Sequence, residues 1–278
     1  MALKRALSYF DLTSIVVGSI IGSDIYIASA ITAGLVGPFS VVVWIIAAVI
    51  ATLLALVFAY CSFYVPRVGG SFAFVSEAFD DFYGFLSGWS MWIAEMLALP
   101  VFAITFTNYL QHFIVLDFFQ QTVVKALFLF GLTFINIIGV KAAGKVNDVL
   151  TIVKLLPLIL IVVAGFAMFA QNPSFIANYS PLAPLGFANV GTALVLIFWA
   201  YAGFELGTLP ASEVKNPKKT IPKAIITGMA IVTLFYLTTN FVVFGTVNWT
   251  ELATTKTPLI LVGAALLGTI GAAIMSFG

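Results

Sequence analysis

Two short stretches set glycine beside a carboxylate and aromatic side chains in surroundings almost free of charge. The first is Gly18-Ser19-Ile20-Ile21-Gly22-Ser23-Asp24-Ile25-Tyr26. The second is Phe198-Trp199-Ala200-Tyr201-Ala202-Gly203-Phe204-Glu205-Leu206-Gly207. Glycine lowers the cost of leaving helical geometry. An unwound stretch frees backbone N–H and C=O groups, which are tolerable at membrane depth only where they face protein or a wet cavity. The N-terminus of a half-helix can then hold an anion, and unwound carbonyls can hold a cation. A zwitterion needs both. The competing reading is a packing face, with Gly18 and Gly22 as small-xxx-small contacts. The same pattern recurring in two places, each with an acid, favours a site.

Ionisable groups inside apolar spans are costly and default to functional hypotheses. Lys154 is expected about two turns into a span, and snorkelling to the near interface is its ordinary alternative. Glu95 falls near the middle of another span and matches no motif; a polar pair with a neighbouring helix is its bland reading. His112 is expected at a span end, at the interface. With Cys61 and His112 as the only residues of their types, no metal site is expected.

The elements that must position these residues follow from the charge-free runs. No Asp, Glu, Lys or Arg occurs over the 42 residues Ile25–Pro66 or the 50 residues Leu155–Phe204. A crossing helix takes about 20 residues, so each run holds parts of two spans. Leu35-Val36-Gly37-Pro38 turns the first run, and the polar, proline-dotted stretch from Gln171 to Asn189 connects the second. Shorter runs complete a reading of spans near 11–35, 39–63, 82–111, 119–138, 147–169, 190–212, 222–247 and 258–278. Asn216-Pro217 and Pro222 are expected as turn residues before the seventh. The 278 residues are 62% hydrophobic and 8% charged, where a soluble domain has about 25% charged residues. That excludes a soluble enzyme, a disordered chain and a disulfide-stapled secreted domain. A net charge of +1 gives no footprint for nucleic acid. The continuous runs disfavour a β-barrel.

Orientation follows from Lys and Arg. With the N-terminus in the cytoplasm, Lys4, Arg5, Arg67, Lys141, Lys145, Lys215, Lys218, Lys219 and Lys223 fall inside, while Lys125 and Lys256 fall outside. The expected location is the cell membrane, multi-pass.

Three motifs, in order and at matching spans, resemble the amino acid–polyamine–organocation (APC) transporter superfamily, the amino-acid permeases. Span one resembles the family's Gly-x-Ile-Ile-Gly-Ser-Gly-Ile-Phe through Gly18, Ile20, Ile21, Gly22, Ser23 and Ile25. Span two ends as Pro66-Arg67-Val68-Gly69-Gly70-Ser71-Phe72, close to the family's Pro-x-x-Gly-Gly. Span six continues from Tyr201-Ala202-Gly203-Phe204-Glu205 into Glu213-Val214-Lys215-Asn216-Pro217-Lys218-Lys219 and Ile221-Pro222-Lys223-Ala224-Ile225. The resemblance covers essentially the whole chain.

It implies an all-α polytopic membrane protein with the five-plus-five inverted-repeat fold and discontinuous helices 1 and 6, here with about seven or eight spans. Residues 1–170 would form the first five-helix repeat and 171–278 an incomplete second one, so a truncated chain is expected. The substrate would meet the backbone around Ile20, Gly22, Ser23 and Asp24. Its amino group would meet carbonyls from Trp199, Ala200, Tyr201, Ala202 and Gly203. Trp199 stands where relatives often place an aromatic gate, although bulk against lipid or core is the commoner role of such a residue. Lys154, preceding Leu155-Leu156-Pro157, resembles a helix-five lysine of proton-coupled relatives, and Asp24 is its candidate partner. Glu205 resembles the family's helix-six glutamate, a gating or proton-linked group. Asp24 departs from the family, which has glycine there. A fixed anion would repel a substrate carboxylate unless it is protonated, paired with a cation, or facing a substrate that carries no carboxylate.

The expected function is secondary active transport of amino acids by alternating access, coupled to H+. The expected partners are a small-molecule substrate and the lipid bilayer, with no cofactor and no nucleic acid. A polyamine or organocation carrier and an inactive permease fragment are the alternatives. No His-Glu-x-x-His, Gly-x-Ser-x-Gly or Gly-x-x-x-x-Gly-Lys-[Ser/Thr] supports an enzyme or an ATP-driven pump. A channel is a further class, separated from a carrier by unsaturated flux down a gradient.

Overall fold

The computed structural model describes residues 7–138 and 140–277. Lys4 and Arg5, and the side chains of Lys141 and Lys145, lie outside the described residues. The order is α1 (Tyr9–Ile20), α2 (Asp24–Val36), α3 (Ser40–Tyr64), α4 (Ser71–Ala78), α5 (Asp81–Leu110) and α6 (Phe118–Ile138). It continues with α7 (Val140–Gln171), α8 (Ser174–Ala177), α9 (Val190–Tyr201), α10 (Pro217–Thr246), α11 (Trp249–Thr254) and α12 (Pro258–Phe277). Among the described residues there is one isolated bridge, Leu7 with Val214, and no named strand. Among the described residues, seven helical stretches are long and apolar enough to cross a membrane. The first, Tyr9–Tyr64, runs 56 residues, more than twice the length one crossing needs. It contains the first two expected spans.

The chain divides into two compact units. One comprises 1–22, 43–97 and 194–236; the other comprises 23–42, 98–193 and 237–278. Each unit draws on both of the expected repeats. The contact units and the 1–170 and 171–278 division cut the chain on different grounds, packing in one case and repeat in the other.

In the first unit, the end of α3 leads into the Pro66–Gly70 turn. Gly69 (φ 121°) and Gly70 (φ 52°) take backbone angles that favour glycine. A Cβ at Gly70 would lie 2.7 Å from Thr208 Oγ1, so this turn packs against the stretch that follows span six. Arg67 pairs with Glu77 at 3.1 Å on the exposed rim. Val16 sits against Gly207 and Gly228, whose lack of side chains allows that approach.

In the second unit, α12 packs against α7 and α2, and α11 packs against α2. The segment after α7 wraps onto the end of α10. Asn178 donates to the Gly245 carbonyl at 2.7 Å, and Tyr179 donates to the Phe241 carbonyl. Phe175, fully buried, lies directly over Gly245. Gly245→Ala is expected to force this ring aside and cost about 2 kcal/mol, read as a lowered unfolding temperature in detergent. Substitution at Gly191, where a Cβ meets open space, is the control.

Three elements differ from expectation. α10 begins at Pro217, so Pro222 lies inside the helix rather than before it. It is tolerated there because the carbonyl it leaves unpaired belongs to the first turn. α7 begins at Val140, not near 147, so Lys154 lies 14 residues into the helix rather than two turns. The run Lys141-Ala-Ala reads as loop by charge but is made of good helix formers. α12 breaks at Gly268 (φ 65°, ψ −151°). Its two pieces lie against each other where Gly263 meets Gly271, so the eighth apolar run is not a straight rod.

Candidate functional site

The first break lies between α1 and α2. Ile21 N–H donates to the Val17 carbonyl at 3.0 Å as the last bond of α1, and Ile21 then leaves helical geometry at ψ 99°. Ile21, Gly22 and Ser23 separate the two helices. Ser23 takes the N-cap position of α2 without a side-chain cap bond. Its buried hydroxyl has no hydrogen-bond partner among the described residues. The first turn of α2 therefore presents helix N–H groups and the positive end of a 13-residue helix.

The second break lies after Tyr201. α9 ends there, Gly203 adopts φ 119°, and residues 204–208 continue as a 3-10 helix. The Glu205 carboxylate turns back to accept the Gly203 N–H at 2.9 Å, and Thr208 Oγ1 donates to the Glu205 carbonyl at 2.6 Å. The last turn of α9 carries the helix's negative end. One of its carbonyls, Trp199, already accepts from Ala202 N–H.

Within the first unit the two breaks touch. Ser19 Oγ donates to the Gly203 carbonyl at 2.9 Å. An ideal Cβ at Gly203 would sit 2.7 Å from the Ser19 carbonyl oxygen. Tyr236, from α10, donates to the Ile20 carbonyl at 3.0 Å, supplying a donor to an acceptor that the break frees. Tyr236, Tyr201 and Trp44 form a fully buried aromatic trio with centroid separations of 5.3–5.7 Å. The Trp44 indole N–H finds no acceptor among the described residues. Tyr236→Phe removes only the hydroxyl and is expected to cost about 1 kcal/mol, read by thermal unfolding. An unchanged unfolding temperature would show that the Ile20 carbonyl does not need this donor.

The expected residues fall as follows. In the first unit, Ile20, Ala200, Tyr201 and Gly203 are buried, while Gly22, Trp199, Ala202 and Glu205 are half-buried. Glu95 is exposed on α5, and its charge acts on Glu205. The group that Glu95 acts on is thus a second carboxylate, of like sign. In the second unit, Asp24 opens α2 and is 4% exposed. Lys154 is half-buried on α7, and the Asp24 charge acts on it. Tyr26 Oη donates to the Lys154 carbonyl at 2.8 Å, and Tyr109 Oη donates to the Tyr26 carbonyl at 2.7 Å. The four expected coupling groups therefore associate as Glu95 with Glu205 and as Asp24 with Lys154. His112 is exposed beyond the end of α5, beside an open polar cavity of about 320 Å³ that Lys256 and Gln111 also line. No group of three or more His, Cys, Asp or Glu residues able to hold a metal occurs among the described residues.

Sequence reasoning missed Trp44, Tyr109 and Tyr236. Each is an aromatic in an apolar run, and no local pattern marks Trp44 as part of the buried trio or the hydroxyls of Tyr109 and Tyr236 as bound to distant carbonyls.

Apolar helices long enough to cross a bilayer, with breaks at Gly22, Gly203 and Gly268, define a multi-pass helical membrane protein of the permease type. The chain belongs to the amino acid permease family, whose model matches residues 7–278. It is 29% identical over 279 residues to the branched-chain amino acid permease BcaP of Bacillus subtilis (strain 168), a match covering 94% of this chain and 59% of that protein. It is 27% identical to the serine/threonine exchanger SteT of the same organism, over 99% of this chain and 63% of that one. The methylthioribose transporter of that organism is 27% identical, over 90% of this chain and 57% of the relative. These relatives are transporters, not enzymes. The chain spans less than two thirds of the length of each.

Proposed function

We propose that the protein acts in secondary transport of amino acids across the cell membrane, by alternating access and with H+ as the coupling ion. The observation that carries this reading is the pair of breaks at Ile21–Ser23 and Gly203. They offer helix N–H groups at one place and helix carbonyls at the other, the two kinds of group a zwitterion requires. Ile20, Gly22 and Ser23 are assigned to the substrate carboxylate. Trp199, Ala200, Tyr201, Ala202 and Gly203 are assigned to its amino group, with Trp199 as the gate. Lys154, Asp24, Glu205 and Glu95 are assigned to gating and proton coupling. The N-terminus is placed in the cytoplasm by the Lys and Arg distribution.

One observation favours a second reading. Asp24 stands buried in the first turn of α2, where a substrate carboxylate would otherwise meet the helix N-terminus. A carboxylate supplied by the protein suits an amine that brings none, such as a polyamine.

Reconstitution in liposomes with an imposed proton gradient separates the two. Saturable leucine uptake, competed by amino acids and not by putrescine, is the expected result. Saturable putrescine uptake that leucine leaves unaffected would replace it with the second reading. Unsaturated flux of both would overturn the carrier mechanism.

A further inference from the structure

We propose that Tyr26 is a positioning residue for Lys154, with Tyr109 holding Tyr26 in place, so that the lysine amine is presented to Asp24. This rests on the reading of Asp24 and Lys154 as a coupled pair, and extends it to two side chains with no charge of their own.

The geometry is confined to one compact unit. Tyr26 is 6% exposed and Tyr109 is 5% exposed. Their rings meet edge to face, with centroids 5.4 Å apart and planes at 85°. Tyr109, on α5, donates to the backbone of Tyr26, on α2; Tyr26 donates in turn to the backbone of Lys154, on α7. The two bonds tie two helices, α5 and α7, to the first turn of α2.

The point of attachment is a weak place in α7. Pro157, three residues beyond Lys154, lies inside that helix. Proline has no N–H to give, and its ring crowds the preceding turn. The bond lost is that of the Val153 carbonyl, four residues before the proline, and Tyr26 donates to the next carbonyl along, that of Lys154. Asp24, two residues before Tyr26, acts on the lysine's charge. One side chain of α2 thus holds the backbone of residue 154 while another acts on its amine.

Each phenol proton is committed to a backbone carbonyl. The chain from Tyr109 to Lys154 therefore does not hand protons along; it fixes position. Tyr26 also stands where the motif quoted above has phenylalanine, as Asp24 stands where it has glycine. Both departures fall on the residues that act on Lys154.

On its own helix, the sequence sets Lys145 and Asp148 nine and six residues before Lys154. Asp24 and Tyr26 come from α2 and Tyr109 from α5. α12 and α8, packed against α7, carry no titratable residue, and α6 contributes Lys125.

The test needs no ligand. The rate of Lys154 acetylation by acetic anhydride is followed by mass spectrometry across pH, in the intact protein in lipid, with Lys125 as internal reference. Tyr26→Phe removes one hydroxyl and keeps the ring. It is expected to displace the midpoint of the Lys154 profile by about 0.5 pH unit or more, equivalent to about a threefold change in the proton equilibrium. Tyr109→Phe is expected to displace it in the same sense by less. The displacement due to Tyr26→Phe should vanish when Asp24→Asn is already present, because the hydroxyl acts through that pair. If Asp24→Asn moves the midpoint and Tyr26→Phe does not, the positioning role is overturned while the pair stands. If Asp24→Asn leaves the midpoint in place, the pair itself fails and this proposal with it. A Tyr26→Phe displacement that persists undiminished in Asp24→Asn would also overturn it, because the hydroxyl would then act without Asp24.

Discussion

Gly203→Ala is expected to cost about 3 kcal/mol or more and to abolish substrate binding. Two separate penalties fall on one methyl group. The backbone holds φ at 119°, a region that L residues enter only with strain of about 1–3 kcal/mol. The new Cβ would also lie 2.7 Å from the Ser19 carbonyl oxygen and 2.8 Å from its carbon. These are backbone atoms of α1, so no side chain can swing away to relieve the contact. Retreat of α1 would break the bond from Ser19 Oγ to the Gly203 carbonyl. Gly186→Ala is the control. That residue has φ 67° but nothing within 4 Å of its added Cβ, so only the conformational cost of about 1 kcal/mol applies. Thermal unfolding of both variants in detergent measures the difference. Equal effects would show that the contact with α1 contributes nothing.

Asp24 and Lys154 give the second large expected effect. On the pairing proposed for them, removing either member leaves the other uncompensated in apolar surroundings, at a cost of about 3 kcal/mol. Asp24→Asn and Lys154→Ala are each expected to lower stability by about that amount, with Asp24 the more sensitive because it is the more deeply buried. The double variant is expected to lose less than the sum by about 1 kcal/mol or more, because neither charge remains stranded. Both single variants should also alter the pH dependence of uptake. An unaltered pH dependence in both would end the coupling assignment.

The lipid-crossing architecture was open to sequence reasoning because absence of charge is a strong signal over 20 residues. The 42- and 50-residue runs each had to contain a turn, and the helices follow. The breaks at Gly22 and Gly203 were legible for a related reason: glycine beside a carboxylate in an apolar span has few ordinary explanations. Charge misled at the helix ends. Lys141 and Lys145 suggested a loop, yet α7 runs through both positions, because a helix can extend past the apolar layer when its residues favour it. Pro222 misled similarly, since proline ends a helix only where a hydrogen bond is lost from its interior. The phenols were not legible at all. Tyr26, Tyr109 and Tyr236 each bond a carbonyl distant in sequence, and such partners emerge only when the helices are packed. Gly268 was equally hidden, because an apolar run containing glycine reads the same whether it is straight or bent.

The short bridge beside the first helix has a mechanical consequence. Leu7 N–H donates to the Glu213 carbonyl and Lys215 N–H donates to the Leu7 carbonyl, both at 2.9 Å. This staples the segment entering α1 to the one leaving the second break. Within the first unit, the start of α1 and residues 213–215 cannot separate without tearing two backbone bonds. A spin label or fluorophore on either segment would report the displacement of both. A bulky fusion joined directly at Leu7 would load the pair like a weight hung from a shared hinge.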